Sequence, residues 1–247
     1  MARLKMNGYV VGDDYGPLYE KYGYSVIYPN AVRTAIENNP EGEDLILEIN
    51  SGGGSVFSGF EIFSILKSAK CNTVAEIQSL AGSAASTIAC GCRKVLMSPV
   101  GQMMIHDPAT VTVGNIRDHK ESTQALTAIK ESILNGYAQR CGDKATRAKL
   151  ADLMSKETWL PAQQAVELGL ADGILYAGET DPAAIVNAAQ VGFREYVNSC
   201  SVLPPIEDLL AREQPSPGSN PTGEAPDNKN DAWKAEAALA IEKERFI

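Results

Sequence analysis

Ala75-Glu-Ile-Gln-Ser-Leu-Ala-Gly-Ser-Ala-Ala-Ser-Thr-Ile-Ala-Cys90 is the stretch on which the reading of this chain turns. Its first part, with Thr73 to Ile77, alternates as a half-buried strand does. The rest of the stretch is almost nothing but Ala, Gly, Ser and Thr, and predicts a helix over Gly82–Gly91. Small residues at that density allow a helix end to approach a neighbouring backbone and to present a reactive side chain beside backbone N–H groups. Upstream, the apolar run Leu45–Ile49 feeds Gly52-Gly-Gly54 and then a helical pattern over Phe60–Leu66. Glycines after a strand permit positive φ and close backbone approach. Downstream, Met103-Met-Ile105 leads straight to His106, one of only two histidines in the chain. A glycine loop, a serine after a strand and a histidine at a strand end are the parts of a serine hydrolase.

Around this centre the pattern alternates strand and helix from Asp44 to Ala171, with further strands at Lys94–Met97 and Gln102–Ile105. Such alternation implies α/β layering on a largely parallel sheet, with a site outside the carboxyl ends of the strands. A first strand is expected at Leu4–Val11 and a helix at Pro29–Asn38, opened by its proline. Between them, Gly12 to Tyr28 carries tyrosines 15, 19, 22, 24 and 28. Tyrosines so dense read equally as a contact surface or as a loop packed on the domain. Gly114–Arg140 predicts a long polar helix, with His119 on its solvated face among Arg117, Asp118, Lys120 and Glu121.

With 247 residues the chain has enough length for one substantial core and a tail. A net charge of −9 argues against a nucleic-acid partner, which needs a basic face. No apolar run reaches the ~18 residues of a membrane span, and the N-terminus lacks the apolar core of a secretory signal. Five cysteines without framework spacing predict reduced thiols and a cytoplasmic protein. Cys90-Gly-Cys92 has neither a histidine-rich partner nor a second pair, so no metal or other cofactor is expected. Leu203-Pro-Pro and Gln214–Asp227 are poor in apolar residues, and 200–230 reads as a disordered linker. Beyond it, 231–247 predicts a short helix with Trp233, Ala237, Ala240 and Ile241 on one face.

The chain resembles the Clp peptidase family, and more closely its bacteriophage branch, the head maturation proteases. The resemblance rests on Ile49-Asn-Ser-Gly-Gly-Gly-Ser-Val-Phe-Ser-Gly59, Ala81-Gly-Ser-Ala-Ala-Ser86, Met104-Ile-His-Asp-Pro108, Glu157-Thr-Trp159 and Ala165-Val-Glu-Leu-Gly-Leu-Ala-Asp172. It implies a crotonase-like layered β-α spiral fold over residues 1–199, with a projecting handle at about 111–140. It also implies a Ser-His-acid triad. The family register picks Ser86 as nucleophile over Ser83, its local rival one helical turn earlier, with His106 as base. Glu157 stands where the housekeeping peptidase has aspartate. The oxyanion hole is expected from the N–H groups of Gly53 and Thr87, flanked by Gly52 and Gly54 in the substrate loop. Glycine at 52 departs from the proline usual in the phage pattern.

By the same resemblance the chain forms a ring-like homo-oligomer that cuts capsid and scaffold proteins in a bacterial host cytoplasm, inside the assembling head. Three alternatives stay open: a Clp-like peptidase working with or without an ATPase, a crotonase-type acyl-CoA enzyme, and an inactive shell subunit. Neither a P-loop nor the Gly-x-Ser-x-Gly elbow of α/β-hydrolases is present.

Overall fold

The computed structural model describes residues 2–176 and 203–211. β1 (Ala2–Val10), β3 (Leu45–Gly54) and β4 (Thr73–Gly82) form the middle of a parallel sheet, with two-residue β2 (Val26–Ile27) beside β1. β4 then divides its partners: its first half pairs with β5 (Lys94–Met97) and its last three residues with β6 (Gln102–Ile105). β8 (Gly173–Ile174) follows β5, while β7 (Thr158–Pro161) runs antiparallel to β6. Mixed α/β architecture on a largely parallel sheet is therefore as expected.

Helices α2 (Pro29–Glu37), α3 (Val56–Ser68) and α4 (Ala84–Gly91) join successive strands, and α3 packs on α4. The core is built from Leu45, Leu47 and Ile49 of β3, Ile77 and Ala81 of β4, and Ile62 and Leu66 of α3. All eight residues of α4 are buried, which accounts for their smallness: larger side chains would hold the helix off the sheet. Cys90 and Cys92 belong to this core, and burial pushes both thiols up to about 12. They pack as small neutral hydrophobes. α5 (Ile116–Cys141) opens with an Asn115–Asp118 capping box and buries Ile129, Ile133, Leu134 and Tyr137. Its first turns are solvated, and His119 is exposed there as anticipated. α6 (Arg147–Ser155) and α7 (Ala162–Leu168) complete the main body.

Two expectations change. The tyrosine-rich stretch is not merely loop, since α1 (Gly16–Lys21) and β2 form within it. Likewise, residues 203–211 do not belong to a disordered linker: α8 (Ile206–Ala211) packs against that same tyrosine surface. Ile206 and Leu209, three apart on one helical face, bury against Tyr19 and Val26, and the Tyr19 hydroxyl donates to Pro204 O at 3.3 Å. A compositional average over 200–230 hides these few apolar residues among its prolines and polar residues. The remainder of the expected linker and the helix at 231–247 lie outside the described residues.

Leu209 is wholly buried in a small satellite cluster separate from the main core. Leu209→Ala should weaken the docking of α8 by about 2–3 kcal/mol. Hydrogen exchange should then accelerate across Ile206–Ala211 and leave β3 and β4 protected. Unchanged exchange in α8 would show that the contact contributes nothing.

Candidate active site

β4 continues five residues past its expected end at Ile77 because Leu80, Ala81 and Gly82 pair with Gln102, Met103 and Met104 of β6. The chain must then turn sharply into α4, and Ser83 makes the turn at φ +50°, ψ −123°. Such a conformation is costly for a residue with a Cβ and persists only where the surroundings over-determine it. Here the Ser83 N–H extends the ladder to Met104 O at 2.9 Å, and the Ser83 carbonyl receives the first N–H groups of the helix. The Ser83 hydroxyl is left at the strand–helix elbow, 2.8 Å from His106 Nε2.

Ser86 does not reach His106. It is fully buried, and its Oγ bonds to Ser83 O at 2.6 Å and to the Tyr137 hydroxyl at 2.7 Å. The serine in contact with His106 is therefore Ser83, one helical turn before the expected Ser86. With the strand ending at Gly82 rather than Ile77, Ser83 becomes the residue at the elbow and Ser86 lies inside the first turn of the helix.

His106 follows β6 and Glu157 precedes β7. Their ladder pairs Ile105 with Thr158, so continuing the register by one step sets His106 opposite Glu157. A single carbonyl reinforces this: Met154 O accepts from Asp107 N–H at 3.2 Å and Glu157 N–H at 3.0 Å. Glu157 itself has φ +48°, the second non-glycine residue of this site in the left-handed region. Lys130 Nζ, 2.8 Å from Asp107 Oδ2, ties α5 to the residue after the histidine.

The glycine loop lies against the elbow. Gly53 has φ +106°, and a Cβ on it would fall 2.7 Å from Ser83 Cβ and 3.0 Å from Ala84 N. Its N–H, however, donates to Ser51 Oγ at 3.1 Å, and the Thr87 N–H donates to Ser83 O at 3.3 Å. Both expected oxyanion donors are therefore already engaged, the second because Thr87 lies within the helical turn that begins at Ser83. Ala84, the residue after Ser83, opens α4, where a backbone N–H has no acceptor within the helix. Gly54 has φ +144°, and a Cβ there would collide with the Val10 carbonyl oxygen, so the loop admits only glycine at this position.

Beside Ser83 and His106 opens a small, mainly apolar pocket lined by Val56, Phe60, Thr87, Pro108, Ile133 and Tyr137. Sequence reading preferred Ser86 to Ser83 and did not single out Ala84 or Tyr137, which the fold brings beside Ser83 and to Ser86 respectively. A preference of serine for helix N-cap positions was the available signal for Ser83; Tyr137 looks like any apolar-face aromatic until the fold brings its hydroxyl to Ser86. Among the described residues, no three His, Cys, Asp or Glu side chains gather as a metal site.

Comparison with known proteins shows the family. The Clp protease family model matches residues 31–177, more than half of the chain. The chain belongs to the Clp protease family. It is 28% identical over 147 residues to the ATP-dependent Clp protease proteolytic subunit 1 of Chlamydia muridarum, covering 58% of this chain and 75% of that one. The corresponding subunit of Chlamydia trachomatis serovar D is 29% identical over 144 residues, 56% of this chain and 73% of the relative. That of Protochlamydia amoebophila is 26% identical over 148 residues, 58% and 71% of the two chains. Membership makes the chain a Clp-like peptidase, and the matched span contains Gly53, Ser83, His106 and Glu157.

Gly53→Ala should impair the site from outside the reacting groups. The new Cβ meets Ser83 Cβ and the Gly82 carbonyl at 2.7–2.8 Å, in a backbone conformation strained for any L side chain. Expected are a stability loss of about 1–3 kcal/mol, read by denaturant titration, and a peptide turnover reduced by more than about tenfold. Wild-type turnover would mean that the loop does not set the elbow.

Proposed function

We propose that this chain is a serine endopeptidase in which Ser83 is the nucleophile, His106 the general base and Glu157 the acid that orients and stabilises the imidazolium. The observation that carries the reading is the 2.8 Å contact from His106 Nε2 to the hydroxyl of a serine held at positive φ. In the reaction, His106 takes the Ser83 proton as Oγ attacks the scissile carbonyl, then gives it to the leaving amine; water reverses the sequence to release the acyl group. The oxyanion forms against the N–H of Ala84, the first residue of α4. The apolar pocket takes the side chain preceding the scissile bond.

A crotonase-type acyl-CoA reaction would use carboxylates for its proton transfers, and the serine–histidine contact favours peptide hydrolysis over it. Within the peptidase reading we propose a ring-forming homo-oligomer whose substrates are the capsid and scaffold proteins of a phage or prophage, cut in the bacterial cytoplasm. The motif resemblance over 49–59, 81–86 and 157–159 supports that role. A second reading, an ATPase-coupled peptidase outside capsid assembly, is favoured by the names of the relatives, which are subunits of ATP-dependent proteases. Processing of a co-expressed capsid precursor without any ATPase separates the two.

Labelling with a fluorophosphonate and subsequent peptide mapping test the nucleophile. The adduct should sit on Ser83, and Ser83→Ala should lose label and lower turnover by on the order of 10⁴–10⁶. An adduct on Ser86 would restore the family register and overturn the assignment.

Glu157→Gln keeps the shape of the acid and removes its charge. Turnover should fall by on the order of 10²–10⁴ with KM changed little, as expected when the imidazolium loses its counter-charge. Full turnover in this variant would remove Glu157 from the mechanism.

A further inference from the structure

The nucleophile reading leaves Ser86 without a role, yet it is the most tightly bonded hydroxyl in the site. Its hydrogen-bond directions come from counting protons. Ser86 Oγ carries one hydrogen, and the Ser83 carbonyl at 2.6 Å can only accept, so the hydrogen points there. The Tyr137 hydroxyl, 2.7 Å from Ser86 Oγ, must then be the donor in that contact. With its own hydrogen so placed, the Tyr137 oxygen accepts from Thr87 Oγ1 at 3.5 Å. A one-way chain results: Thr87 to Tyr137 to Ser86 to the Ser83 carbonyl. Tyr137 is 1% exposed and Ser86 fully buried, so water does not compete for these bonds. Burial also lifts the Tyr137 hydroxyl well above the ordinary tyrosine range, keeping it a neutral donor at any working pH.

The end of the chain is informative. The Ser83 carbonyl collects three donors: Ser86 Oγ, Ser86 N–H at 3.0 Å and Thr87 N–H at 3.3 Å. That carbonyl and the Ala84 N–H belong to the same peptide group, one conjugated unit in which drawing electron density to oxygen leaves the N–H more positive. The same three bonds fix the plane of the group, and hence the direction in which the Ala84 N–H points.

We propose that Ser86 and Tyr137 are positioning residues that orient and polarise the Ser83–Ala84 peptide group, so that the Ala84 N–H meets the oxyanion formed when Ser83 attacks. The inference rests on Ser83 as nucleophile. It gives the second serine of Ser83-Ala-Ala-Ser86 a part in stabilising the transition state and none in proton transfer. Tyr137 also lines the pocket beside Ser83, so one side chain of α5 borders both that pocket and the Ser86 hydroxyl.

The test uses the full-length chain, a fluorogenic peptide substrate and a peptide aldehyde, whose adduct with Ser83 mimics the tetrahedral intermediate. Ser86→Ala should lower kcat by about tenfold to a hundredfold, with KM within about twofold, and should weaken the aldehyde in proportion to kcat. Tyr137→Phe, which leaves Ser86 in place without its donor, should lose less. The double variant should match Ser86→Ala, because the two act in series on one carbonyl. The pH midpoint of turnover should be the same in all variants, since His106 is outside the chain of bonds. Three results would each overturn the proposal: wild-type kcat in Ser86→Ala, losses that multiply in the double variant, or a kcat loss without loss of aldehyde affinity. Stoichiometric fluorophosphonate labelling of Ser83 in the wild type and in Ser86→Ala separates this failure from the larger one. If Ser83 of the wild type takes no label, the nucleophile reading falls; if it is labelled while the kinetic pattern fails, only the positioning role falls.

Discussion

Three ladder positions hold this molecule's chemistry in place: Leu80, Ala81 and Gly82 of β4 against Gln102, Met103 and Met104 of β6. Without that pairing the strand would end where its alternation ends, near Ile77, and the helix could begin anywhere in the small-residue run. With it, the strand is drawn on to Gly82, and the turn into α4 is compressed to one residue. Ser83 absorbs the change of direction at φ +50°, while its N–H stays bonded to β6 and its carbonyl is captured by the helix. The backbone strain is thus held between two hydrogen-bonded elements, and the hydroxyl is aimed by the backbone rather than by rotamer choice.

The same strand β6 delivers His106. Because β6 is parallel to β4 and ends at Ile105, His106 leaves the sheet beside the elbow. Because β7 is antiparallel to β6, the residue before Thr158 returns to face it. Ser83, His106 and Glu157 are therefore drawn from distant sequence positions to one end of the sheet through one strand with two neighbours. Met154 O, shared between the N–H groups of Asp107 and Glu157, closes the arrangement on its outer side. α5 contributes from behind through Tyr137 and from the flank through Lys130, so a helix whose first turns are solvated is anchored beside Ser86 and Asp107.

Docking of α8 on the tyrosine surface adds a second, independent cluster. β1 and β2 run parallel to β3 and β4, so the residues after Val10 and Ile27 lie on the same sheet edge as Gly53 and Ser83. The segment 203–211 packs on the surface formed by α1 and β2, held by two apolar side chains and one tyrosine hydroxyl. The tyrosines tolerate this because each buries a ring at little entropic cost and keeps its hydroxyl for a partner.

By itself the sequence determined the mixed α/β class, the order of strands and helices from Leu45 to Ile105, and the five motifs on which the family resemblance rests. Those depend on local alternation, glycine clusters and short residue patterns, which neighbouring residues specify. His106 could be placed at the end of an expected strand by the apolar run before it, whereas Glu157 was named only through the family resemblance, the short strand β7 after it giving no local signal. The choice between Ser83 and Ser86 was not legible. Both lie in a run of small residues with no periodicity of its own, and where the strand stops depends on Gln102–Met104, about twenty residues away. The first N–H without a partner inside the helix moved with it, since a helix that starts at Ala84 consumes the Thr87 N–H and leaves that of Ala84 at the helix start. Tertiary structure alone also decided that Tyr137 meets Ser86 and that Ile206 and Leu209 are covered: burial of a lone hydroxyl or a pair of apolar residues depends on what packs against them, and that partner lies far away in the chain.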